Sequence, residues 1–415
     1  MIWLIALTVL ALPSYLYRIS LFGVPTTALE LIIYLTALCL LIRQPIKVTL
    51  ENWSKYWRIW RWPLGFIGIG ALIAVWQGDQ LAKSIGLFKA FIFDPLVVLA
   101  ILTGVDRLDY RRPIVWASLM LMAVMALSVS FGGQTLDGRS LGVYGLDTTA
   151  SPNFLALLVA PLTTWFVALA WRYRHSESTG LNRVEFVLCL SAILLGIYTL
   201  EASGSRAGAL ATALASLVTI GLSWRQELPP SSKTRRTMQF ATLALAILVI
   251  GVGVWQARPN FGPDATTRQA TSNNLRFEIW QTTVSEILPE HWLFGHGLGD
   301  YQRVFAAKTA DRPNFVAYIT PWAYSPHNLW LNLWVNFGLL GLIGFSWLLY
   351  RGLANGWREL ATKPDRSLNL IVPAAAILLT ITVQGLVESQ LYKNDLAVLF
   401  AIALALTEIR GGNSA

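Results

Sequence analysis

The sequence predicts an all-α integral membrane protein with about twelve transmembrane helices, one long external loop containing short helices, and both termini in the cytoplasm. Hydrophobic residues make up 55% of the 415 residues and charged residues only 13%, whereas a soluble domain carries about 25% charged residues. Apolar runs of roughly 16 to 22 residues recur along the whole chain, and ~20 residues suffice to cross a bilayer as a helix. Basic residues are dense in every second loop between these runs, as they are in cytoplasmic loops.

The predicted spans follow one another from the first residue almost to the last. The first run has no basic segment and no small-residue cleavage site, so we interpret it as a retained helix and not as a signal peptide. The third run is short and rich in glycine. The twelve spans are 1–17, 27–42, 64–76, 85–104, 113–131, 153–171, 184–200, 206–223, 239–256, 326–350, 368–388 and 394–409.

The distribution of lysine and arginine sets the predicted topology. The loops after spans two, four, six, eight and ten hold three to five basic residues each, whereas the short alternate loops hold one each. Basic residues in short loops mark the cytoplasmic side. The net charge of +9 follows from this distribution, so it does not indicate a nucleic-acid partner. Both cysteines, Cys39 and Cys189, lie inside apolar runs, and no disulfide is expected. The single basic residues of the external loops are Arg18, Lys83, Arg139, Arg206 and Lys393.

One long external loop, 257–325, separates spans one to nine (1–256) from spans ten to twelve (326–415) within one membrane domain. Apolar residues recur near helical spacing in its middle, which predicts a short amphipathic helix over 274–288, lying on the membrane surface or on the helix bundle. The segment GHGLGDY that follows is predicted to form a tight turn. Its glycines are not followed by a strand–helix unit, so they do not indicate a nucleotide site.

Two arginines at external helix ends are candidates for anion binding. Ser205 is predicted to cap span eight, which places Arg206 at a helix N-terminus, where anions are favoured and a guanidinium adds five donors. Arg276 opens the amphipathic helix after Asn273 and Asn274, which are competent caps. The alternatives are an interfacial arginine that reaches lipid headgroups for Arg206, and an ordinary solvated arginine for Arg276.

His327 is the candidate general base. Ser325 suits the N-cap of span ten and Pro326 its first helical position, so His327 is predicted to lie in the first helical turn. There the helix dipole disfavours the imidazolium, and a neutral imidazole can accept a proton. The alternative is a histidine that only sits in the lipid headgroup belt.

Other polar residues at the external end are candidates for substrate binding. Lys89 and Asp94 lie about one turn apart in span four, and they are either functional or an internal ion pair that fixes packing. His291 and His296, with Asp300 close by, match no strong metal motif, so no metal site is predicted. Glu201, Glu388, Lys393 and Asp395 are charges that could orient His327 or bind substrate. The candidates for substrate binding are Lys89, Glu388, Lys393, Tyr301 and Asn328.

Three motifs together resemble the O-antigen ligase family, which includes the related O-antigen polymerases. They are SGSRAGAL at the start of span eight, RFEIW followed by LFGHGLGDYQ in the long loop, and SPHNLWLNLWVNFGLLG at the start of span ten. The resemblance covers about residues 184–350, and the first six spans match only as a hydropathy pattern. The order, the spacing and the shared side of the membrane of the three motifs are more specific than any one motif.

The resemblance implies an inner-membrane glycosyltransferase of the GT-C kind with its active site on the periplasmic side. It implies transfer of an O-antigen glycan from undecaprenyl diphosphate to the lipid A-core oligosaccharide, by a metal-independent, inverting reaction without a cofactor. The essential histidine of the family maps onto His327, and its two essential arginines map onto Arg206 and Arg276. Membrane lipids are the other expected partners.

Three alternatives remain open at this point. An O-antigen polymerase would use a second lipid-linked glycan as acceptor, and another ligase of the family would glycosylate a protein such as a pilin. A twelve-span transporter or flippase should instead line a central cavity with charges at mid-membrane, whereas most of the charges here collect at the external helix ends. Aromatic residues of the long loop, Trp292, Tyr301, Phe305, Tyr318, Trp322 and Tyr324, either stack on sugar rings or form an interfacial belt.

Overall fold

The computed structural model describes residues 2–21, 24–105, 110–146, 151–174, 180–227, 233–257, 272–361, 369–389, 391 and 393–409. Helices make up nearly all of its regular structure, which confirms the all-α class. Two short antiparallel hairpins, which the sequence did not predict, pair β1 (Arg18–Leu21) with β2 (Val24–Thr27) and β3 (Gly133–Gln134) with β4 (Ser140–Gly142). The α-helices are α1 (Ile2–Leu10), α2 (Ala28–Arg43), α3 (Ile46–Gln77), α4 (Leu81–Phe88), α5 (Asp94–Val105), α6 (Arg111–Phe131), α7 (Pro152–Tyr173), α8 (Gly180–Ser203), α9 (Arg206–Glu227), α10 (Lys233–Ala257), α11 (Ser272–Thr282), α12 (Tyr301–Lys308), α13 (Pro313–Tyr318), α14 (Leu329–Ala361), α15 (Ile371–Gln384) and α16 (Asn394–Glu408).

Seven helices within the described ranges are long and apolar enough to cross a membrane. They are α3, the continuous Leu81–Val105 segment, α6, α7, α8, α9 and α14. The other five predicted spans coincide with α1, α2, α10, α15 and α16. Four of these helices, all but α10, have 9 to 16 residues, and within the described part of α10 the apolar stretch is Phe240–Gly251. The protein is therefore a multi-pass membrane protein, while the count of twelve spans stays a prediction.

Two predicted boundaries at the start of the chain are wrong. Span 1–17 is not one helix, because α1 ends at Leu10 and a 3₁₀ turn over Leu12–Leu16 contains Pro13, whose ring and missing N–H oppose an α-helix. The basic segment before span 64–76 is not a loop, because α3 already begins at Ile46. Asn52, Tyr56 and Trp60 are buried at helical spacing along this segment, so its basic residues belong to an amphipathic helix.

The core is built around α7. Side chains all round this helix are buried, and 89% of its apolar window lies inside the protein. A helix that is apolar on every face must be surrounded by other helices, and α7 packs against α8, α9 and α15. The N-terminal end of α7 therefore lies among the helix ends that carry the candidate residues.

The described part of the long loop, residues 272–325, which the sequence predicts to be external, folds against the bundle. The predicted helix over 274–288 is confirmed in outline as α11, which continues as a π-helical turn over Thr283–Ile287 and a 3₁₀ turn over Leu288–Glu290. Ile279 and Ile287 are buried in a second apolar cluster that includes Val335 of α14. This contact favours the bundle over the membrane surface as the partner of the helix. Val284, which recurs at helical spacing with these apolar residues, is instead 54% exposed.

The predicted tight turn at GHGLGDY is also present. Gly295 has a φ of +75°, and its backbone lies so close to α14 that a Cβ would meet the Val335 carbonyl oxygen at 2.6 Å. The His296 N–H donates to the same carbonyl oxygen at 2.7 Å, and the Leu298 N–H donates to the Ala74 carbonyl oxygen of α3 at 2.9 Å. The turn thus joins the external segment to α3 and α14.

Candidate functional site

The site centres on the buried carboxylate of Glu388, which lies just beyond the end of α15. The chain continues from α15 in a turn in which the Glu388 N–H donates to the Gln384 carbonyl oxygen at 3.1 Å. The start of α14 is attached to the same turn, because the Leu329 N–H donates to the Gly385 carbonyl oxygen at 2.7 Å. Glu388 is only 4% exposed, so its charge requires partners from the protein.

His327 lies before α14 and not in its first turn, which corrects the predicted capping arrangement. Its φ is +48°, and no other non-glycine residue in the described ranges has a positive φ. That conformation is incompatible with a right-handed helix, so α14 begins at Leu329 and Asn328 takes the capping role by accepting a hydrogen bond from the Leu331 N–H at 3.0 Å. The Ser325 hydroxyl oxygen accepts from the His327 N–H at 3.3 Å. Strained backbone of this kind concentrates at functional sites.

The imidazole of His327 has an oxygen near each of its nitrogens. Nδ1 is 3.5 Å from Oε2 of Glu388, and Nε2 is 3.0 Å from the carbonyl oxygen of Trp322. The ring also packs edge-on against Tyr324, with centroids 4.9 Å apart. Each ring nitrogen of His327 therefore lies near an acceptor oxygen of the protein.

Arg276 reaches the same carboxylate from the external segment. It lies inside α11, which begins at Ser272, so Asn273 and Asn274 are helical residues and not caps. An Nη2 of Arg276 donates to Oε1 of Glu388. One turn further along the helix, Nε1 of Trp280 donates to the Pro326 carbonyl oxygen at 2.8 Å. The external helix is thus joined to both Glu388 and the residue before His327.

The charge on Glu388 reflects a balance between burial and its neighbours. Burial opposes ionisation and by itself would raise the pKa of Glu388. Arg276 and His327 act in the opposite direction and together hold the pKa below its usual value. Glu388 is therefore an anion at neutral pH, and it holds Arg276 and His327 on one carboxylate.

Arg206 occupies the predicted helix start. It is the first residue of α9, and Ser205 caps the helix, since its hydroxyl oxygen accepts from the Gly208 N–H at 3.3 Å. The Arg206 side chain is exposed, and no described acidic residue pairs with it. The Arg206 cation is thus exposed at the start of α9, whereas Arg276 is held by Glu388.

Two further side chains, which the sequence did not mark as functional, connect Glu388 to the turn before Arg206. Asn153, in the first turn of α7, donates from Nδ2 to Oε1 of Glu388 at 2.8 Å. Arg139, just before β4, donates from Nη2 to Oδ1 of Asn153 at 3.0 Å and from Nε to the Ser203 carbonyl oxygen at 2.9 Å. Arg139 was noted only as the single basic residue of a short external loop, and that isolation was the one available signal.

The remaining substrate-binding candidates have partners within the protein. Lys89 pairs with Glu30 at 2.8 Å and not with Asp94, which instead accepts from the Tyr34 hydroxyl at 2.6 Å. The Lys393 ammonium lies 3.7 Å from the ring centroid of Phe154.

The two uncharged candidates are also engaged. The amide of Asn328 donates to the Leu386 carbonyl oxygen at 2.7 Å in addition to capping α14. Tyr301 is only 2% exposed, and its hydroxyl is 2.6 Å from that of Thr283. This burial does not favour stacking of Tyr301 on a sugar ring.

The other aromatic residues of the long loop differ in their exposure. Trp292 and Trp322 are 51% and 61% exposed, whereas Phe305 is fully buried. The side chain of Tyr318 lies outside the described residues. The rings of His291 and His296 meet edge-on at 4.6 Å, and nowhere in the described ranges do three or more metal-ligating side chains come together.

The fold and the site define a class of protein: an α-helical membrane protein with arginines, a histidine and a buried carboxylate gathered at the ends of its helices. Residues 191–346 match the family model described as O-antigen ligase, which confirms the family resemblance over this stretch. The match supports a function of the O-antigen ligase or polymerase type, carried out by membrane glycosyltransferase-like enzymes. A comparison with curated proteins returns no match. Arg206, Arg276 and His327 lie inside the matched stretch, whereas Glu388, Asn153 and Arg139 lie outside it.

Proposed function

We propose that this protein is an O-antigen ligase of the inner membrane. It transfers a glycan from undecaprenyl diphosphate to the lipid A-core oligosaccharide on the periplasmic side, by a metal-independent, inverting reaction. The observation that carries the proposal is the convergence of Arg276 and His327 on Glu388 at the helix ends, with both residues inside the stretch that matches the family. We infer that the cationic donors and a proton acceptor act together on one substrate bound at these helix ends.

The donor diphosphate binds between Arg206 and Arg276. A guanidinium binds phosphate oxygens through parallel N–H donors, and Arg276 brings its guanidinium to the Glu388 carboxylate at this site. Arg206 adds an exposed cation beside a helix N-terminus. Both arginines stabilise the negative charge that builds on the leaving diphosphate as the glycosidic bond breaks. This is the task that a divalent cation performs in many glycosyltransferases.

His327 takes the proton from the acceptor hydroxyl. Glu388 holds the Nδ1–H of the ring, which makes Nε2 the basic nitrogen. Nε2 faces the Trp322 carbonyl oxygen before substrate binds, so the incoming sugar hydroxyl must take the place of this carbonyl. The deprotonated hydroxyl oxygen then attacks the anomeric carbon, the bond to the diphosphate breaks, and the proton stays on His327. We infer that the exposed ring of Trp322 contacts the acceptor sugar.

The first test is a transfer assay with the full-length protein in detergent. It combines a polyprenyl diphosphate-linked glycan, lipid A-core and EDTA, and compares the wild type with His327→Ala. We expect glycan on lipid A-core without added metal, and a loss of about 10²- to 10⁴-fold in rate for His327→Ala, which is the contribution of a general base. His291→Ala is the matched control, since His291 is an exposed histidine of the same external segment.

Each other outcome points to a different function. Elongation of a second lipid-linked glycan, with lipid A-core unmodified, would identify a polymerase. Transfer that stops on chelation would contradict metal independence, and normal turnover by His327→Ala would refute the assigned base. A well-folded protein that joins no glycans, with either acceptor, would leave a transporter as the better hypothesis.

A further inference from the structure

A continuous chain of hydrogen bonds links the turn before Arg206 to the Glu388 carboxylate. At one end, the carbonyl oxygen of Ser203 accepts from Nε of Arg139 at 2.9 Å. In the middle, Nη2 of Arg139 donates to Oδ1 of Asn153 at 3.0 Å. At the other end, Nδ2 of Asn153 donates to Oε1 of Glu388 at 2.8 Å. The hydrogen bonds therefore run from the last residue of α8, just before the turn that leads to Arg206, to the carboxylate that holds Arg276 and His327.

The amide of Asn153 fits only one way round in this chain. Its oxygen faces a guanidinium, which only donates, and its nitrogen faces a carboxylate, which only accepts. The Asn153 backbone is fixed as well, because its N–H donates to Oγ of Ser151, the cap of α7, at 3.3 Å. Arg139 and Glu388 are consequently held at a set separation by a short, oriented side chain.

The turn before Arg206 is shaped to receive Arg139. Gly204 has a φ of +60°, and a Cβ on it would lie 2.9 Å from Nε of Arg139. Glycine thus permits both the backbone conformation and the close approach of the guanidinium. On the other side, Arg139 is anchored by its own backbone, since its N–H donates to Oγ1 of Thr135 at 3.1 Å within the β3–β4 hairpin.

We propose that Arg139 and Asn153 are positioning residues that hold the Arg206 turn against Glu388, so that Arg206 and Arg276 face the same donor diphosphate. The inference rests on the proposed function for its substrate, but the hydrogen-bonded chain does not depend on it. The two arginines reach the site from different elements, α9 and α11. A phosphate clamp built from separate elements needs a fixed connection between them, because small displacements of catalytic groups are costly in rate.

A double-mutant cycle tests this connection. Arg139→Ala, Asn153→Ala and the double variant are assayed for glycan transfer, with donor and acceptor concentrations varied separately. Loss of one hydrogen bond to a charged group corresponds to about 10- to 100-fold, so we expect each single variant to lower kcat/KM for the donor by that factor. The acceptor KM should stay within about twofold, since neither residue is directed at the acceptor. The double variant should lose no more than the worse single variant, because both act through one chain.

A second measurement reports on the chain without relying on turnover. Hydrogen exchange of residues 203–208 is followed in the wild type and in the same variants, and both single variants should speed exchange there. Arg303→Ala is the matched control, because Arg303 is an exposed arginine paired with Asp79 at 2.5 Å, away from the chain. This control should change neither exchange nor transfer.

Several results would overturn the inference. Unchanged exchange over 203–208 in Arg139→Ala, together with additive losses in the double variant, would mean that no connection exists. A large loss in Arg139→Ala beside a normal Asn153→Ala would make Arg139 a direct substrate ligand and not a positioning residue. A wild type that transfers no glycan refutes the proposed function alone, and exchange then decides whether the chain holds the Arg206 turn.

Discussion

At the scale of single residues, Glu388 decides how the site is assembled. A buried carboxylate is costly unless it is paired, and Glu388 has Arg276, His327 and Asn153 around it. Arg276, in the long loop, and His327, at the start of span ten, are far apart in sequence. Both contact the Glu388 side chain, which comes from the last third of the chain. Removing that charge should change stability and activity together.

The pKa of Glu388 predicts how stability varies with pH. Because the folded state lowers this pKa below its usual 4.5, the ionised form stabilises the fold at pH values above about 4.5, and this contribution is lost as the pH falls through the lowered pKa. Glu388→Gln should therefore have a lower Tm than the wild type at pH 7, and the two Tm values should converge as the pH falls below 4.5. Thermal unfolding in detergent across this range is the measurement.

The comparison has a simple control. Glu290 pairs with Lys308 at the exposed surface of the external segment, and the Tm of Glu290→Gln should follow the wild type closely at pH 7, because exposed pairs contribute little. A Tm difference for Glu388→Gln that stays constant from pH 7 to acid would contradict the assigned ionisation.

Sequence motifs identified some residues of the site, whereas others could be selected only from the structure. Arg206, Arg276 and His327 stood out through their motifs, and Glu388 was one of several acidic residues that could orient the histidine. The choice of Glu388 required tertiary contacts, because it lies 61 residues from His327 in sequence. The capping prediction at Ser325 and Pro326 was wrong because His327 has a positive φ, which ends the possibility of a helical turn at that residue and which no local pattern indicated.

At the scale of elements, the kink in α14 joins the membrane helices to the external segment. Gly338 interrupts the helix with a φ of +67° and a ψ of −173°. The Leu339 N–H is thereby free to donate to the Leu293 carbonyl oxygen at 3.0 Å, outside the helix. The sequence WVNFGLLG reads as one uninterrupted apolar helix, so hydropathy alone does not reveal this break.

Gly338→Ala should lower stability by more than a helical glycine substitution does. A Cβ there would meet the Leu293 carbonyl oxygen and Phe294 backbone well inside van der Waals contact, at a φ that alanine rarely adopts. We expect a loss of at least about 1 kcal/mol, seen as a lower Tm.

Gly65→Ala is the matched control for this substitution. A Cβ at Gly65 in α3 has nothing within 4 Å, and alanine is favoured over glycine by about 0.5–1 kcal/mol inside a helix. Its Tm should equal or exceed that of the wild type. Equal Tm values for both variants would show that the kink tolerates a side chain and that the backbone there can relax.

At the scale of the whole molecule, the outer surface of the helices is apolar, as a lipid-facing surface must be. Trp76 is 88% exposed, Leu194 69% and Leu248 60%. In water such an apolar surface would be unfavourable, and in a bilayer it is solvated by lipid tails. The core and the exposed surface are therefore both apolar, and the polar groups gather at helix ends and at the site.

The predicted orientation can be measured with single cysteines. In a background carrying Cys39→Ser and Cys189→Ser, Asp137→Cys lies at the exposed β3–β4 turn and Arg358→Cys at the exposed end of α14. We expect a membrane-impermeant maleimide to label Asp137→Cys in intact spheroplasts, and Arg358→Cys only after the membrane is opened. Labelling of both positions from one side would contradict the alternating topology from which the periplasmic site is inferred.

The sequence by itself determined the membrane class, the approximate positions of the helices and the family resemblance, because apolar runs and local motifs are properties of neighbouring residues. It also indicated the tight turn at GHGLGDY and the Ser205 cap, which depend on a few consecutive residues. Only the tertiary structure selected Glu388 as the partner of His327 and Arg276, and added Arg139 and Asn153. These partners lie at helix ends that are distant in sequence and meet because α7, α9, α11, α14 and α15 pack together. No local sequence pattern encodes which buried charge faces which cation.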